Sequence, residues 1–137
     1  MSTELVTNLP FSIDEHLSRQ TRLRTELKNA NLDAILVFAQ ESHFWLTGYD
    51  TGGYVFFQCA VITPDERPII LLTRRPDLVQ ARQTSTIEDI RIWWDSDDAN
   101  PAVDLKSILA HLGLKKGRVG SELNTRGLTG WHRWRVQ

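Results

Sequence analysis

Three observations predict a three-layer α/β domain with a mixed, mostly parallel sheet of about five strands. Segments with helical periodicity alternate with short β-rich runs along the chain. The run 34–38 is continuously apolar, which is typical of a strand covered by helices on both faces. Two β-rich runs in the middle of the chain, separated by a short polar turn, predict one antiparallel hairpin. The length of 137 residues fits a single domain.

The first element is predicted to be a helix that begins after Ser12. Ser12 and Glu15 have the spacing of a capping box, in which Glu15 reaches back to the cap amide. Either Asn29 or Asn31 can end the helix, because asparagine tolerates the left-handed conformation. The predicted buried face consists of apolar residues at helical intervals: Ile13, Leu17, Leu23, Leu27 and Ala30.

A short helix and the hairpin follow the first strand. Residues 41–48 form the predicted short helix, closed by Gly48, and residues 49–53 form a glycine-containing loop. The hairpin strands are expected over 55–62 and 68–73, because a Pro-Asp pair in the segment between them favours a turn.

The second half predicts two more helices and two more strands. Pro76 fits the first turn of a helix that follows the hairpin. Asn100 and Pro101 give a cap and a first helical residue for the last helix, which Gly113 stops. The predicted strands of this half are 88–94 and 118–122.

The composition argues against several classes of partner. Sixteen basic and 17 acidic side chains give a net charge of −1, so we expect no nucleic acid and no membrane surface as partner. No apolar run approaches the roughly 18 residues of a membrane span, and the N-terminus lacks the pattern of a signal peptide. A single cysteine gives no disulfide framework, which favours a reducing compartment and a cytoplasmic location.

The sequence offers no catalytic residue and no metal-ligand set. His16, His43, His111 and His132 lie too far apart in sequence to form a ligand pair on one helix, so each is expected at the surface or half-buried. Cys59 lies inside an apolar strand and is expected in the core. The acidic loop from residue 95 lacks the glycine and the final glutamate of a calcium loop.

Two features could bind a ligand or a second subunit. Arg74 and Arg75 follow a strand at its carboxyl end, where an arginine fork suits a carboxylate, although a solvated pair before a helix is the simpler explanation. The aromatic segment 45–58 could line a pocket or a dimer contact, or could pack in the core and hairpin. Its candidate site residues are Tyr49, Asp50, Tyr54, Phe56 and Phe57.

Five short motifs occur in a characteristic order. They are Asp33-Ala-Ile-Leu-Val, Phe44-Trp-Leu-Thr-Gly-Tyr49, Phe57-Gln58, Leu72-Thr-Arg-Arg75 and Val119-Gly-Ser-Glu122. This ordered set resembles the N-terminal domain of the creatinase/prolidase family, which includes Xaa-Pro dipeptidases, aminopeptidase P, creatinase and ectoine hydrolase-like enzymes. The resemblance covers residues 12–130. Residues 1–11 are then an N-terminal arm, and residues 131–137 are the truncated start of a following segment.

The resemblance implies a ribonuclease-H-like fold and a non-catalytic role. In the family, a C-terminal domain holds two divalent metal ions, for example Mn or Co, on two Asp, one His and two Glu, and a metal-bound hydroxide attacks a C–N bond. No stretch of this chain resembles that domain, so we expect no cofactor in this chain. The implied partners are the catalytic domain of the same polypeptide, a second subunit in a homodimer, and a peptide or small amide substrate.

The family's N-terminal domain also narrows the active site, often that of the neighbouring subunit. By position, the segment 49–57 and Arg74 or Arg75 would do so here. Creatinases carry an arginine in the stretch aligned with 54–57, whereas this chain has Tyr-Val-Phe-Phe, which favours a peptidase or amidohydrolase-like parent. The alternative is a stand-alone module that binds a small ligand or dimerises, without catalytic activity.

Overall fold

The computed structural model describes residues 9–53, 56–94 and 96–122. It confirms the predicted α/β fold, with five strands in one mixed sheet and helices on both faces. The elements in chain order are α1 (Ile13–Asn29), β1 (Ala34–Val37), α2 (Gln40–Thr47), β2 (Cys59–Ile62), β3 (Ile70–Arg74), a 3-10 turn (Arg75–Asp77), α3 (Leu78–Thr84), β4 (Asp89–Trp93), α4 (Pro101–His111) and β5 (Val119–Ser121).

The sheet has the strand order β4-β3-β2-β1-β5. β2 is antiparallel to both of its neighbours, whereas β1 pairs with β5 and β3 pairs with β4 in parallel. The predicted single hairpin in a mostly parallel sheet is therefore confirmed. Since β1, β3, β4 and β5 run in the same direction, their last residues share one edge, which we call the carboxyl edge. Arg74 ends β3 at this edge, and Glu122 directly follows β5 there.

A separate hydrophobic core covers each face of the sheet. On one face, Leu105 and Ile108 of α4 pack against the strands. On the other face, Leu27, Leu46 and Ala81 bring in α1, α2 and α3. All four residues of β2 are buried because helices lie above and below this central strand. None of the helices among the described residues has the length and apolar character that crossing a bilayer would require.

The helices end where the sequence places residues that tolerate a left-handed backbone. Asn31 has a φ of 56° just after α1, and Gly48 and Gly113 follow α2 and α4 with φ of 86° and 75°. At the start of α1, the Ser12 hydroxyl accepts a hydrogen bond from the backbone N–H of Glu15 (3.1 Å), as the capping motif predicts.

The first hairpin strand begins at Cys59, later than predicted. The N–H of Phe56 donates to the carbonyl of Gly53 (3.0 Å), which turns the chain before the strand. The carbonyl of Phe57 accepts from the indole N–H of Trp93 (2.9 Å). These two backbone groups bond within a turn and to a side chain instead of pairing with a neighbouring strand. The strand is therefore shorter than the apolar segment that predicted it.

The predicted buried face of α1 is wrong over its first two turns and at Ala30, which is exposed. Ile13 and Leu17 are each 48% exposed, whereas His16, Arg19 and Gln20 are buried. The expectation that histidines lie at the surface or half-buried is therefore wrong for His16. It is also wrong for His43 in α2, which is 1% exposed.

The polar residues of α1 are buried because they bind the last carbonyls of α2. The His16 Nδ1–H and the Arg19 guanidinium both donate to the carbonyl of Trp45, at 3.2 and 2.9 Å. The Gln20 amide donates to the carbonyl of Leu46 (3.1 Å). The final carbonyls of a helix have no partner within it, and here a neighbouring helix supplies the donors.

The side chain of Asn100 does not cap α4, in contrast to the sequence prediction. Asn100 occupies the cap position, but its side chain makes no capping hydrogen bond, and its backbone has φ and ψ of −141° and 81°. The helix still begins at Pro101, because the fixed φ of proline suits the first turn.

Candidate functional site at the carboxyl edge of the sheet

Two of the predicted site residues meet at the end of β3. The guanidinium carbon of Arg74 lies 3.5 Å from the centroid of the Phe56 ring, in a cation–π arrangement. The Nε–H of Arg74 also faces Asp77 Oδ2, at 3.4 Å. Phe56 is 40% exposed, while the Arg74 side chain is 14% exposed. We call Phe56, Arg74 and Asp77 the Arg74 cluster.

Asp77 joins this cluster to the loop before β2. Its side chain is buried, and its Oδ1 accepts a hydrogen bond from the Thr51 hydroxyl (2.6 Å). The Thr51 oxygen in turn accepts from the N–H of Gly53 (3.1 Å). The amide of Gln58 donates to the carbonyl of Gly53 (2.6 Å). These bonds hold the described part of the loop against the 3-10 turn, so Asp77 fixes both the arginine and the segment that carries Phe56.

Sequence reasoning missed Asp77 and Thr51. One signal was available for Asp77, because it follows Arg74 by three residues at the start of a predicted helix, a spacing that permits an ion pair. No signal was available for Thr51, since its bond to Asp77 spans 26 residues and depends on the tertiary fold.

Tyr49 and Phe57 lie in the two cores. Tyr49 is 0% exposed, and its hydroxyl lies 3.2 Å from the Thr73 hydroxyl. Burial raises the pKa of the Tyr49 phenol above its ordinary value. Phe57 packs edge-on against Phe38, with ring centroids 5.4 Å apart. Both residues are core residues of this domain and do not line an exposed site.

The remaining candidates lie apart or outside the description. Asp50 is exposed, and its carboxylate accepts a hydrogen bond (3.2 Å) from the side-chain amide of the first residue of α2. Arg75 is exposed in the 3-10 turn. Tyr54 lies outside the described residues. Of the seven predicted residues, the structure brings Phe56 and Arg74 into direct contact.

Glu122 links three elements at the same edge. Its Oε1 accepts hydrogen bonds from the backbone N–H groups of Phe38 (2.8 Å) and Ala39 (2.9 Å). Its Oε2 accepts from the Ser42 hydroxyl (2.6 Å). The carboxylate therefore connects the end of β5 to the end of β1 and to the start of α2. Negative charge is favourable at a helix start, which carries the positive end of the helix dipole.

The chemistry that the Arg74 cluster offers is anion recognition. Arginine binds a carboxylate with two parallel N–H donors, and stacking on an aromatic ring fixes the guanidinium plane.

The described residues contain no group of three His, Cys, Asp or Glu side chains that could hold a metal ion. Cys59 is 0% exposed, and burial raises the pKa of its thiol well above the ordinary value, so it is the predicted core residue.

The Gly53→Ala substitution is expected to lower the free energy of unfolding by about 1–3 kcal/mol. A Cβ at Gly53 would lie 2.5 Å from Asp77 Oδ1 and 2.6 Å from Oδ2, and the bonds to Thr51 and Arg74 keep that carboxylate from moving away. The matched control is Gly52→Ala, where a Cβ meets nothing within 4 Å. Urea denaturation of both variants tests the prediction, and equal midpoints would contradict it.

Comparison with known proteins agrees with the motifs and with the fold. Residues 19–135 match the creatinase/prolidase N-terminal domain family. An ectoine hydrolase from Halomonas elongata is 28% identical over 124 residues, a match that covers 85% of this chain and 31% of that protein. The chain therefore spans about a third of the length of this curated relative.

Solved structures of peptidases share the fold. An Xaa-Pro aminopeptidase from Streptococcus pyogenes superposes with a TM-score of 0.71 at 17% identity, over 92% of this chain and 85% of that chain. A dipeptidase from Pyrococcus horikoshii OT3 gives a TM-score of 0.69 at 19% identity, over 86% of this chain and 31% of that chain. The ordered motifs, the mixed sheet and the match over residues 19–135 all agree, and the chain belongs to the creatinase/prolidase family through its N-terminal domain.

Proposed function

We propose that this chain is the non-catalytic N-terminal domain of a dinuclear metal-dependent hydrolase that cleaves a C–N bond, as an Xaa-Pro dipeptidase or aminopeptidase P does. The observation that carries the proposal is the family match over residues 19–135. In this proposal a C-terminal domain of the same polypeptide holds the two divalent metal ions, such as Mn or Co. The chain works in the cytoplasm, as part of a homodimer.

The role proposed for this domain is to restrict and orient the substrate. A dipeptide ends in a free carboxylate, and the Arg74 cluster offers a guanidinium whose orientation is fixed by Phe56 and Asp77. The cluster lies on the carboxyl edge of the sheet, where α/β proteins commonly bind ligands. Phe56 is partly exposed beside it and would form an apolar wall of the same subsite.

One observation favours a second candidate substrate, ectoine, rather than a dipeptide. The ectoine hydrolase is 28% identical to this chain, whereas the two peptidases of solved structure are 17% and 19% identical. Ectoine is therefore the second substrate to test. The same carboxyl-edge subsite would serve in either case.

Hydrolysis assays of the complete gene product with Mn²⁺ or Co²⁺ test the proposal. We expect it to cleave an Xaa-Pro dipeptide, and we expect the 137-residue chain alone to be inactive. Cleavage of ectoine in place of the dipeptide would favour the second candidate. Cleavage by the 137-residue chain alone would overturn the non-catalytic role. A complete gene product without a metal-binding domain would favour a stand-alone binding or dimerisation module.

In the complete enzyme, Arg74→Ala is expected to raise KM for the dipeptide by about tenfold or more, because the carboxylate of the substrate loses a charged hydrogen-bond partner. The matched control is Arg75→Ala, which removes an exposed arginine next in sequence and is expected to change KM by less than about twofold. Steady-state kinetics with the dipeptide and with its C-terminal amide make the comparison. If Arg74→Ala raised KM equally for the dipeptide and for its C-terminal amide, Arg74 would not be the group that binds the carboxylate of the substrate.

A further inference from the structure

The outer edge of β4 is open in the described structure. β4 is the first strand in the sheet order, and among the described residues β3 is its strand partner. An edge strand directs a row of backbone N–H and C=O groups away from its sheet, and these groups can pair with another strand. Ile90 and Ile92 of β4 are partly buried, so each still has surface that a further strand could cover.

β4 carries two opposite charges two residues apart. Asp89 and Arg91 lie on the same side of the strand, and the Arg91 guanidinium is 3.1 Å from the Asp89 carboxylate. Their side chains are 37% and 43% exposed. Charges on an edge strand usually oppose pairing with another strand. A strand with one positive and one negative charge disfavours most pairing registers, but it permits a register in which opposite charges face each other.

We propose that two copies of this chain pair through β4 in antiparallel orientation, with the two-fold axis at Ile90. In this register, Asp89 lies opposite the partner's Arg91, and Arg91 lies opposite the partner's Asp89. Both cross-strand contacts join opposite charges on one face of the sheet, which stabilises a strand pair. The two sheets then form one continuous sheet of ten strands, twice the five of one chain.

Moving the two-fold axis by one residue in either direction brings like charges together. An axis at Asp89 places the two Asp89 carboxylates opposite each other, and an axis at Arg91 does the same for the two guanidinium groups. Like charges directly opposite destabilise a strand pair, so the pattern selects the register centred on Ile90.

An exposed tryptophan adds apolar surface to this interface. Trp94 follows the last residue of β4 and is 66% exposed. In the register centred on Ile90, each Trp94 lies opposite the partner's Thr86, just before the partner's β4 begins. Large aromatic side chains are enriched where subunits meet. This inference rests on the proposed homodimer and names its surface, independently of the catalytic activity.

The test measures assembly of this chain by sedimentation velocity over a range of concentrations. We expect the parent chain to dimerise. Asp89→Arg alone and Arg91→Asp alone are each expected to raise the dissociation constant by about tenfold or more, because each creates two repulsive contacts. A mixture of these two variants is expected to form heterodimers, since β4 then carries two positive charges in one chain and two negative charges in the other.

A control variant distinguishes pairing through β4 from a general effect of charge on assembly. Glu66→Arg makes the same charge change at an exposed position in the hairpin turn and is expected to leave the dimer intact. A parent chain that stays monomeric at all concentrations would overturn this surface. A dimer that both single variants leave unchanged, or variants that remain monomeric when mixed, would overturn the surface alone. None of these results bears on hydrolysis of the substrate.

Discussion

The Glu122→Ala substitution is expected to lower the free energy of unfolding by about 3 kcal/mol. Glu122 accepts hydrogen bonds from the backbone N–H groups of Phe38 and Ala39 and from the Ser42 hydroxyl. A hydrogen bond to a charged acceptor contributes about 1.5–3 kcal/mol, and we expect the total near the upper end of the value for one bond, because all three bonds share one partly exposed carboxylate and the donors regain partial access to solvent. The cap position of α2 is an alanine, whose side chain cannot accept a hydrogen bond. The Glu122 carboxylate therefore supplies the acceptor that a capping side chain would otherwise provide.

Glu122→Gln removes the negative charge of this side chain but keeps its size and its ability to form the hydrogen bonds. The amide oxygen can still accept from both backbone N–H groups, and the amide N–H can donate to the Ser42 hydroxyl oxygen. We therefore expect a loss of only about 1 kcal/mol, from the missing negative charge at the helix start. Urea denaturation of the three proteins provides the measurement. Equal stability of the parent and the alanine variant would show that these bonds contribute nothing to folding.

The sequence predicts the elements well and predicts the contacts between them poorly. Ser12, Gly48 and Gly113 mark helix ends because capping and left-handed backbone depend on the residue itself and its near neighbours. The three bonds of Glu122 span 80 residues or more, and no local pattern records them. The motif containing Glu122 could be recognised, but its physical role required the packing of β5 beside β1.

The error on α1 has the same cause. Helical periodicity places Ile13 and Leu17 on the buried face, since periodicity assumes that a helix packs against apolar neighbours. The first turns of α1 instead meet the carbonyl end of α2, where His16 and Gln20 are useful because they donate hydrogen bonds. A buried carbonyl without a partner costs more than the exposure of an apolar side chain at the edge of a helix.

The candidate site shows which part of a site can be predicted. Arg74 can be recognised because a charged fork after a strand is visible in sequence, and Phe56 because of its aromatic surroundings. That these two side chains stack on each other, and that Asp77 orients the arginine, follows from the turn before β2 and the 3-10 turn after β3. The residue types were predictable, and their geometry depended on loops that the sequence pattern does not define.

Acid is expected to destabilise this fold as the pH falls below about 6.5, because two histidines are buried in the neutral form. Burial lowers the pKa of His43 below 6.5, against the opposing effects of its hydrogen bond to the Val37 carbonyl (2.7 Å) and the charges of Glu122 and Glu41. His43 lies within α2, and His16 of α1 binds the carbonyl end of that helix, so the loss should affect the α1–α2 pair.

His16 adds a second contribution of the same sign. Burial lowers its pKa below 6.5, and the positive charge of Arg19 lowers it further, while hydrogen bonds to the carbonyls of Trp45 and Leu46 and the charge of Glu15 act in the opposite direction. Its Nε2 is buried without a hydrogen-bond partner among the described residues, so a proton there has no acceptor.

The direction of the effect follows from proton binding in the two states. Well above pH 6.5 both histidines are neutral in the folded and the unfolded chain, and their contribution to stability is complete. As the pH falls below 6.5 the unfolded chain takes up protons that the folded chain does not. The free energy of unfolding then decreases, with a slope that approaches about 1.4 kcal/mol per pH unit for each histidine, until the pH passes through the lowered pKa values.

Urea denaturation between about pH 7.5 and pH 5 measures this slope above the range in which ordinary carboxyl groups titrate. We expect His16→Gln and His43→Gln each to remove part of the pH dependence, while glutamine retains an N–H donor for the carbonyl that each histidine binds. His111 lies exposed on α4, and His111→Gln is the matched control for replacing a histidine outside the α1–α2 pair. If the parent and both variants lost stability in parallel, the acid sensitivity would have to come from groups other than these two buried rings.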